Sequence, residues 1–270
     1  MNIHNLFDLS GKTAIVTGST KGIGKAIAQA FAQAGAKVVI SSRTQDKCLE
    51  VAAQINDAGG EALAIACNIS HKDQLQGLVD ATLEKWQHID ILVCNAAVNP
   101  YYGPLAEIPE DAYDKIMDTN IKSNLWLCNM VMPQMAERRQ GSVIIISSIA
   151  GLKGNDRLGA YGLSKAADMQ LARNLAVEWG PANIRANCIA RDWCVLTLPA
   201  NCGRMCRQKP AQLPPIPSGG WESLKISPVR PFFSQLLQVV SLPAKPWWLM
   251  AVRLLAVEVT HKFILESVIV

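Results

Sequence analysis

Six short runs of apolar and β-branched residues, at 13–17, 37–41, 62–67, 91–94, 142–147 and 184–190, alternate with segments of helical length and period. The runs lack polar alternation, as strands covered on both faces do, and the spacers at 24–34, 111–132 and 160–179 repeat apolar residues at helical intervals. The third spacer stops at Gly180-Pro181, a helix-ending pair. Strand and helix in strict alternation predict a parallel sheet with right-handed crossovers. The expected architecture is therefore a Rossmann-like doubly wound sheet in three layers, α/β/α, within a single α/β domain.

The chain has 270 residues, half of them hydrophobic and 18% charged, enough apolar mass to exclude wholesale disorder. A net charge of +4 without basic blocks argues against a nucleic-acid partner. Eight cysteines without a CxxC pair give neither a zinc site nor a disulfide framework, and the four histidines (His4, His71, His88, His261) are dispersed, so no metal site is expected. Residues 1–10 lack a basic stretch followed by an apolar one, and 246–259 is broken by Arg253 and Glu258. No signal peptide and no membrane span are expected, which makes a cytoplasmic, reducing location the default.

The first strand runs straight into Thr17-Gly18-Ser19-Thr20-Lys21-Gly22-Ile23-Gly24, and a helix follows. Glycines let such a loop turn tightly and let a pyrophosphate approach the backbone, while the helix N-terminus offers N–H groups to the anion. An ordinary tight turn would carry the same glycines, but the strand before and the helix after point to a dinucleotide.

The order Gly-x-x-x-Gly-x-Gly resembles the short-chain dehydrogenase/reductase family, whose members carry T-G-x-x-x-G-x-G here. Cys94-Asn95-Ala96-Ala97 stands where that family has N-N-A-G, and Ile146-Ser147-Ser148 and Tyr161-Gly162-Leu163-Ser164-Lys165 resemble its I-S-S and Y-x-x-x-K. Cys94 and Ala97 depart from the pattern, yet Cys-Asn-Ala-Ala-Val-Asn-Pro is similar to the S-N-A-A-V-N-P of a carbonyl-reductase branch. The resemblance spans residues 1–190. It implies that Gly18, Ser19, Thr20, Lys21, Gly22, Ile23, Gly24, Ser42, Arg43, Asn68, Ile69, Asn95, Ala96, Ala97, Tyr161 and Lys165 bind the cofactor.

Coenzyme choice is made at the end of the second strand, where a carboxylate would bond the ribose 2′-hydroxyl. This chain has Ser41-Ser42-Arg43 there. Arg43 and Lys21 would meet a 2′-phosphate, so NADP(H) is expected over NAD(H), although both side chains are also what a solvated surface would carry. Asn68 stands where the family often has Asp against the adenine amino group, and its amide oxygen still accepts that bond.

Tyr161 and Lys165, four apart on a helix, share one face. A phenol is a poor general base near neutral pH, and an ammonium one turn away stabilises the phenolate. Ser148 ends the fifth strand, at the carboxyl edge where open α/β sheets bind ligands. There it would hold a substrate carbonyl while Tyr161 delivers the proton. Asn120 corresponds to the family's helix Asn, which implies a water-mediated proton relay to the lysine. The catalytic expectation is thus Asn120, Ser148, Tyr161 and Lys165, acting on a small-molecule carbonyl or secondary alcohol. Cys48, Cys67, Cys128 and Cys188 read as reduced core residues.

Beyond Ala190 no feature of the family can be placed. The family continues with Pro-Gly and a threonine that helps hold the nicotinamide, where this chain has Arg191-Asp192-Trp193-Cys194-Val195-Leu196-Thr197. Nine of the 14 prolines and four of the seven tryptophans fall after residue 190. Codons compatible with 190–199, read one nucleotide earlier, spell Pro-Gly-Leu-Val-Arg-Thr-Asp-Phe-Ala. The same phase turns 221–227 into Leu-Gly-Glu-Pro-Glu-Asp-Ile and 245–252 into Gln-Thr-Val-Val-Val-Asp-Gly-Gly, similar to the family's last strand. We therefore expect a core at 1–190 and, at 191–270, a segment replaced by a one-nucleotide deletion. In that case the final strand and much of the substrate pocket would be missing. The alternative is a genuine divergent C-terminus forming a substrate lid. Short-chain dehydrogenases are commonly homotetramers, built partly from the helices at 111–132 and 160–179. This tail puts that assembly, and turnover itself, in question, leaving a catalytically impaired nucleotide-binding or interaction protein as the second functional expectation.

Overall fold

The structure, a computed structural model, describes residues 7–191 and 268–269. Six parallel strands, β1 (Thr13–Thr17), β2 (Lys37–Ser42), β3 (Glu61–Ala66), β4 (Ile91–Cys94), β5 (Gly141–Ser148) and β6 (Ile184–Arg191), lie in the order β3-β2-β1-β4-β5-β6. The sequence-based bounds agree with these to within one residue. The order reverses between β1 and β4, so the carboxyl ends of these two strands open a crevice where chains of this topology bind ligands.

Alternate residues of the central strands feed two separate cores. Ile15, Val39, Leu92, Val143 and Ile145 pack on one face under α3 (Lys72–Trp86), α5 (Ser123–Glu137) and α6 (Gly159–Trp179). Ala14, Val16, Val38, Ile40, Val93 and Ile144 pack on the other with α1 (Gly22–Gln33) and α2 (Gln45–Asp57). β1 and β4 are buried along their whole length, and apart from Thr13 and Thr17 at the ends of β1 their residues are apolar. The three-layer α/β/α expectation holds.

Three local expectations need correction. β6 does alternate: Ile184, Ala186, Cys188 and Ala190 are buried, while Arg185, Asn187, Ile189 and Arg191 are half-buried. The alternation was visible in the polar side chains themselves, and only one face of β6 belongs to the α6 core. Second, the sheet is not wholly parallel. A two-residue strand, β7 (Val268–Ile269), runs antiparallel along β6, pairing Ile189 with Ile269 and Ala190 with Val268. An antiparallel edge strand on a parallel sheet is a common arrangement. Residues 245–252, from which the shifted frame drew a last strand, lie outside the described residues, as does the 192–267 segment in general.

Third, the helix expected at 111–132 is two helices. α4 (Glu110–Met117) passes into a π-helical turn at Asp118–Lys122, and α5 follows and continues to Glu137. Side chains compete with the backbone ladder there: the Ser123 hydroxyl donates to Thr119 O and Asn124 Nδ2 donates to Asn120 O. Five cysteines of the described residues (Cys48, Cys67, Cys94, Cys128, Cys188) are buried free thiols.

Candidate active site

The glycine loop turns off β1 with Gly18 at φ +66° and Gly22 at φ +55°, a backbone region that side chains disfavour. A Cβ on Gly24 would lie 2.5 Å from Asn95 Nδ2 and would also strike the Gly18 carbonyl, so only glycine fits where α1 starts against the loop. Among the described residues no side chain caps α1 at Lys21, and no acidic residue sits in its first turn. The N–H groups of that turn face the loop without an internal anion, the arrangement that receives a phosphate.

Thr17 and Asn95 hold this cradle. Thr17 Oγ1 accepts from Asn95 N at 2.9 Å and Ala96 N at 3.0 Å and donates to Val93 O at 3.3 Å. Asn95 Nδ2 returns to Thr17 O at 2.9 Å and Gly18 O at 3.3 Å. The turn after β1 is therefore fastened to the turn after β4 across the crevice. Ser19 is fully buried; its hydroxyl donates to Val16 O at 2.7 Å and accepts from Ser41 N at 2.8 Å, tying the loop to β2. Its side chain thus supports the loop from within, and Thr20, Lys21, Gly22 and Ile23 complete it.

At the end of β2, Arg43 is exposed, as Lys21 is, and neither is in an ion pair among the described residues. Ser42 Oγ lies 3.2 Å from Cys48 Sγ, which anchors the strand end to α2. Asn68, half-buried after β3, accepts from Ser70 N at 3.3 Å through its amide oxygen, and Ile69 beside it is buried. Ala96 and Ala97 follow Asn95 along the crevice rim.

Ser148 ends β5 and is buried; its hydroxyl accepts from Ala150 N at 3.2 Å, which leaves its own proton free to be donated. The adjacent turn packs tightly on α6, because a Cβ on Gly162 would lie 2.7 Å from Ala150 O. The buried Ser147 hydroxyl donates to Lys165 O at 2.7 Å and fixes the same turn of α6 to β5. Lys165 Nζ sits 5.7 Å from the Tyr161 ring centre. It donates to Ile146 O at 3.0 Å and to Asp168 Oδ2 at 2.7 Å. Asn120 is fully buried in the π turn: its Oδ1 accepts from Val98 N at 2.8 Å, and its Nδ2 donates to Val98 O and Ser164 Oγ, both at 3.0 Å. The amide of Asn120 thus clamps the loop after β4 to α6, and its backbone carbonyl faces Asn124 instead.

Four residues of this neighbourhood were not singled out from the sequence: Thr17 as a hub, Asn124, Asp168 and Arg191. Asp168 carried a signal, a carboxylate at i+3 from Lys165 within an apolar stretch. Arg191 carried none: the β5–β6 register sets it opposite Ser148, and its Nη2 donates to the Tyr161 hydroxyl at 3.4 Å. Burial pushes the Asp168 carboxyl up, against the pull of Lys165 and of its hydrogen bonds from Lys165 and Asn124. The Cys94 thiol is raised by its contact with Cys128 and by burial, and burial lifts Cys188 to about 11.

A glycine turn and an uncapped helix start thus lie at the switch point of a doubly wound sheet, with a Tyr–Lys pair on α6. The short chain dehydrogenase family model matches residues 12–195, and the chain belongs to that family. It is 41% identical over 182 residues to mouse dehydrogenase/reductase SDR family member 4, a match covering 67% of this chain and 65% of the relative. Human dehydrogenase/reductase SDR family member 2, mitochondrial, is 41% identical over 181 residues, covering 67% and 64%. The match thus spans just under two thirds of these relatives' own length. A 7α-hydroxysteroid dehydrogenase solved with NADH and 7-oxo glycochenodeoxycholic acid superposes with a TM-score of 0.67 at 38% identity, covering 70% of this chain and 73% of that one. A short-chain dehydrogenase/reductase from Mycobacterium marinum gives a TM-score of 0.66 at 35% identity, covering 70% and 77%.

Proposed function

We propose that the chain is an NADP(H)-dependent oxidoreductase that interconverts a carbonyl and a secondary alcohol, with Tyr161 as its acid and base. The observation that carries this reading is the gathering of Ser148, Tyr161 and Lys165 at the carboxyl edge of the sheet, on the same edge as the uncapped start of α1. The cradle suits a dinucleotide: Gly18 and Gly24 let the loop close tightly on Asn95, and the uncapped N–H groups at the start of α1 would hold a pyrophosphate. Asn68 and Ile69 would meet the adenine, Asn95, Ala96 and Ala97 would line the path to the nicotinamide, and Arg43 with Lys21 would hold a 2′-phosphate.

NADP(H), when bound, supplies the hydride chemistry at the substrate carbon. Ser148 donates its hydroxyl hydrogen to the substrate oxygen and so fixes the carbonyl. In reduction Tyr161 transfers its phenolic proton to that same oxygen and is left as phenolate; in oxidation the phenolate takes the proton back. The Lys165 ammonium stabilises that negative charge from one helical turn away and would bond the cofactor's ribose.

Residues 1–190 form the working core in this proposal, and 191–270 a segment altered by a one-nucleotide deletion. A small-molecule carbonyl or alcohol is the substrate, and a cytoplasmic location accompanies it. No helix among the described residues is long and apolar enough to cross a membrane. NADPH oxidation against a panel of ketones and dicarbonyls, run beside NADPH binding by fluorescence, tests the activity. Turnover on one class of carbonyl is the expected result. Binding without turnover on any of them would overturn it in favour of a nucleotide-binding protein.

A further inference from the structure

Lys165 is the basic residue on which the Tyr161 chemistry depends, and its side chain is only 3% exposed. An ammonium taken out of water needs a counter-charge or it gives up its proton. The carboxylate it meets is Asp168, one turn further along α6 and 0% exposed, with Oδ2 at 2.7 Å. Asp168 Oδ1 accepts from Asn124 Nδ2 at 3.0 Å, and the other hydrogen of that amide goes to Asn120 O at 2.6 Å. The sequence Asn120, Asn124, Asp168, Lys165 is therefore an unbroken run of hydrogen bonds from the π turn to the ammonium, made wholly of protein atoms.

We propose that Asp168 and Asn124 are positioning residues for Lys165, forming a buried chain that links it to Asn120 and keeps its ammonium charged and aimed. The geometry carries this. Of the three N–H bonds of the ammonium, one goes to Asp168 and one to Ile146 O, which leaves the third to turn towards the phenol and the ribose of a bound dinucleotide. Asn124 spends both amide hydrogens on the chain and so fixes the carboxylate plane. The π turn puts Asn120 O where Asn124 reaches it, which gives that irregular turn a role in the site.

The titratable and charged groups facing the pair from neighbouring elements are Tyr161 of α6, Cys94 of β4, Cys128 of α5 and Cys188 of β6, with Arg173 farther along α6 and Arg191 at the phenol. The Cys94 and Cys188 thiols are pushed up and stay neutral through the working range. Asp168 is thus the anion that meets Lys165 among the described residues.

This inference rests on the Tyr161–Lys165 reading above, and its test separates the two. In Asp168→Asn the shape is kept and the counter-charge lost, which disfavours the charged form of a buried ammonium. Its kcat/KM should fall at least tenfold between about pH 6 and about pH 9 relative to the parent profile, with activity recovered on acidification. A purely structural role would depress kcat/KM by one factor at every pH. The cofactor-free chain gives an independent readout. A lysine held neutral in the fold but charged when unfolded makes stability rise with pH between its lowered folded value and its unfolded value. Urea unfolding of Asp168→Asn should therefore show stability gained from about pH 7 to about pH 9, unlike the parent. Should Asp168→Asn fail to fold, Lys165→Met/Asp168→Asn, which removes both charges, should fold again. Superimposable pH profiles and parallel stability curves, or a double variant no better folded than the single one, would overturn the proposal. A pH-dependent stability difference in a chain that turns over no carbonyl would uphold the buried pair and refute the oxidoreductase reading alone.

Discussion

On the proposed reading, Arg43 sets coenzyme preference by its charge. It is exposed at the tip of β2, on the strand next to the one that enters the glycine loop, with Ser41 and Ser42 before it and no carboxylate to bond a ribose 2′-hydroxyl. A guanidinium gives a 2′-phosphate charge-assisted bonds that a hydroxyl cannot match, worth about 1.5–3 kcal/mol. Arg43→Ala should weaken NADPH by roughly tenfold or more and leave NADH nearly unchanged. Fluorescence titration with both coenzymes measures this, and equal weakening would reduce Arg43 to a surface base. Asp168 acts at the same scale by the opposite means, since its charge works from inside the core on one neighbour.

Elements place these side chains through a few fastenings. Asn95 ties the turn after β4 to the turn after β1, with Nδ2 on Thr17 O and Gly18 O. Asn95→Ala leaves those carbonyls without their donor inside the crevice and should cost roughly 1–3 kcal/mol of stability. Because the cradle is what loosens, NADPH affinity should fall with it; urea unfolding and coenzyme titration on the same sample check both. Strands β1 to β6 and the site motifs were legible in the sequence, because β-branched runs, glycine punctuation and Tyr161-x-x-x-Lys165 are local signals. Other features depended on tertiary partners. The break at Asp118–Lys122 arises from Ser123 and Asn124 bonding back to the preceding turn, which periodicity does not reveal. The half-exposed face of β6 was readable in Arg185 and Asn187 but was masked by the apolar average of the run. Arg191 reaches Tyr161 only because Ser148 and Arg191 share a register position.

For the whole molecule, the family match ends at residue 195 and the composition changes at about the same place. If a one-nucleotide deletion replaced the tail, the family's C-terminal interface is gone, and among the described residues the edge of the sheet beyond β6 is met by the two residues of β7. Open strand edges favour unspecific pairing between chains. The chain as written should therefore run as dimers and larger aggregates in size-exclusion chromatography, whereas the chain with its frame restored after Ala190 should form a discrete tetramer. A well-behaved tetramer from the present sequence would refute the deletion and favour a divergent lid. Sequencing the encoding DNA around codon 190 addresses the same question at its source.

The proposed reaction moves the proton of the Tyr161 phenol, which lies beside Lys165 and Arg191. The most direct measurement is the turnover of Tyr161→Phe beside its NADPH affinity, with a carbonyl that the parent chain reduces. Loss of the positioned acid should lower kcat by roughly a hundredfold or more. The NADPH dissociation constant should stay within about twofold, because the lost hydroxyl acts on the substrate oxygen while the cradle of Gly18, Gly24 and Asn95 is untouched. A Tyr161→Phe chain that keeps most of its parent's turnover would contradict the account.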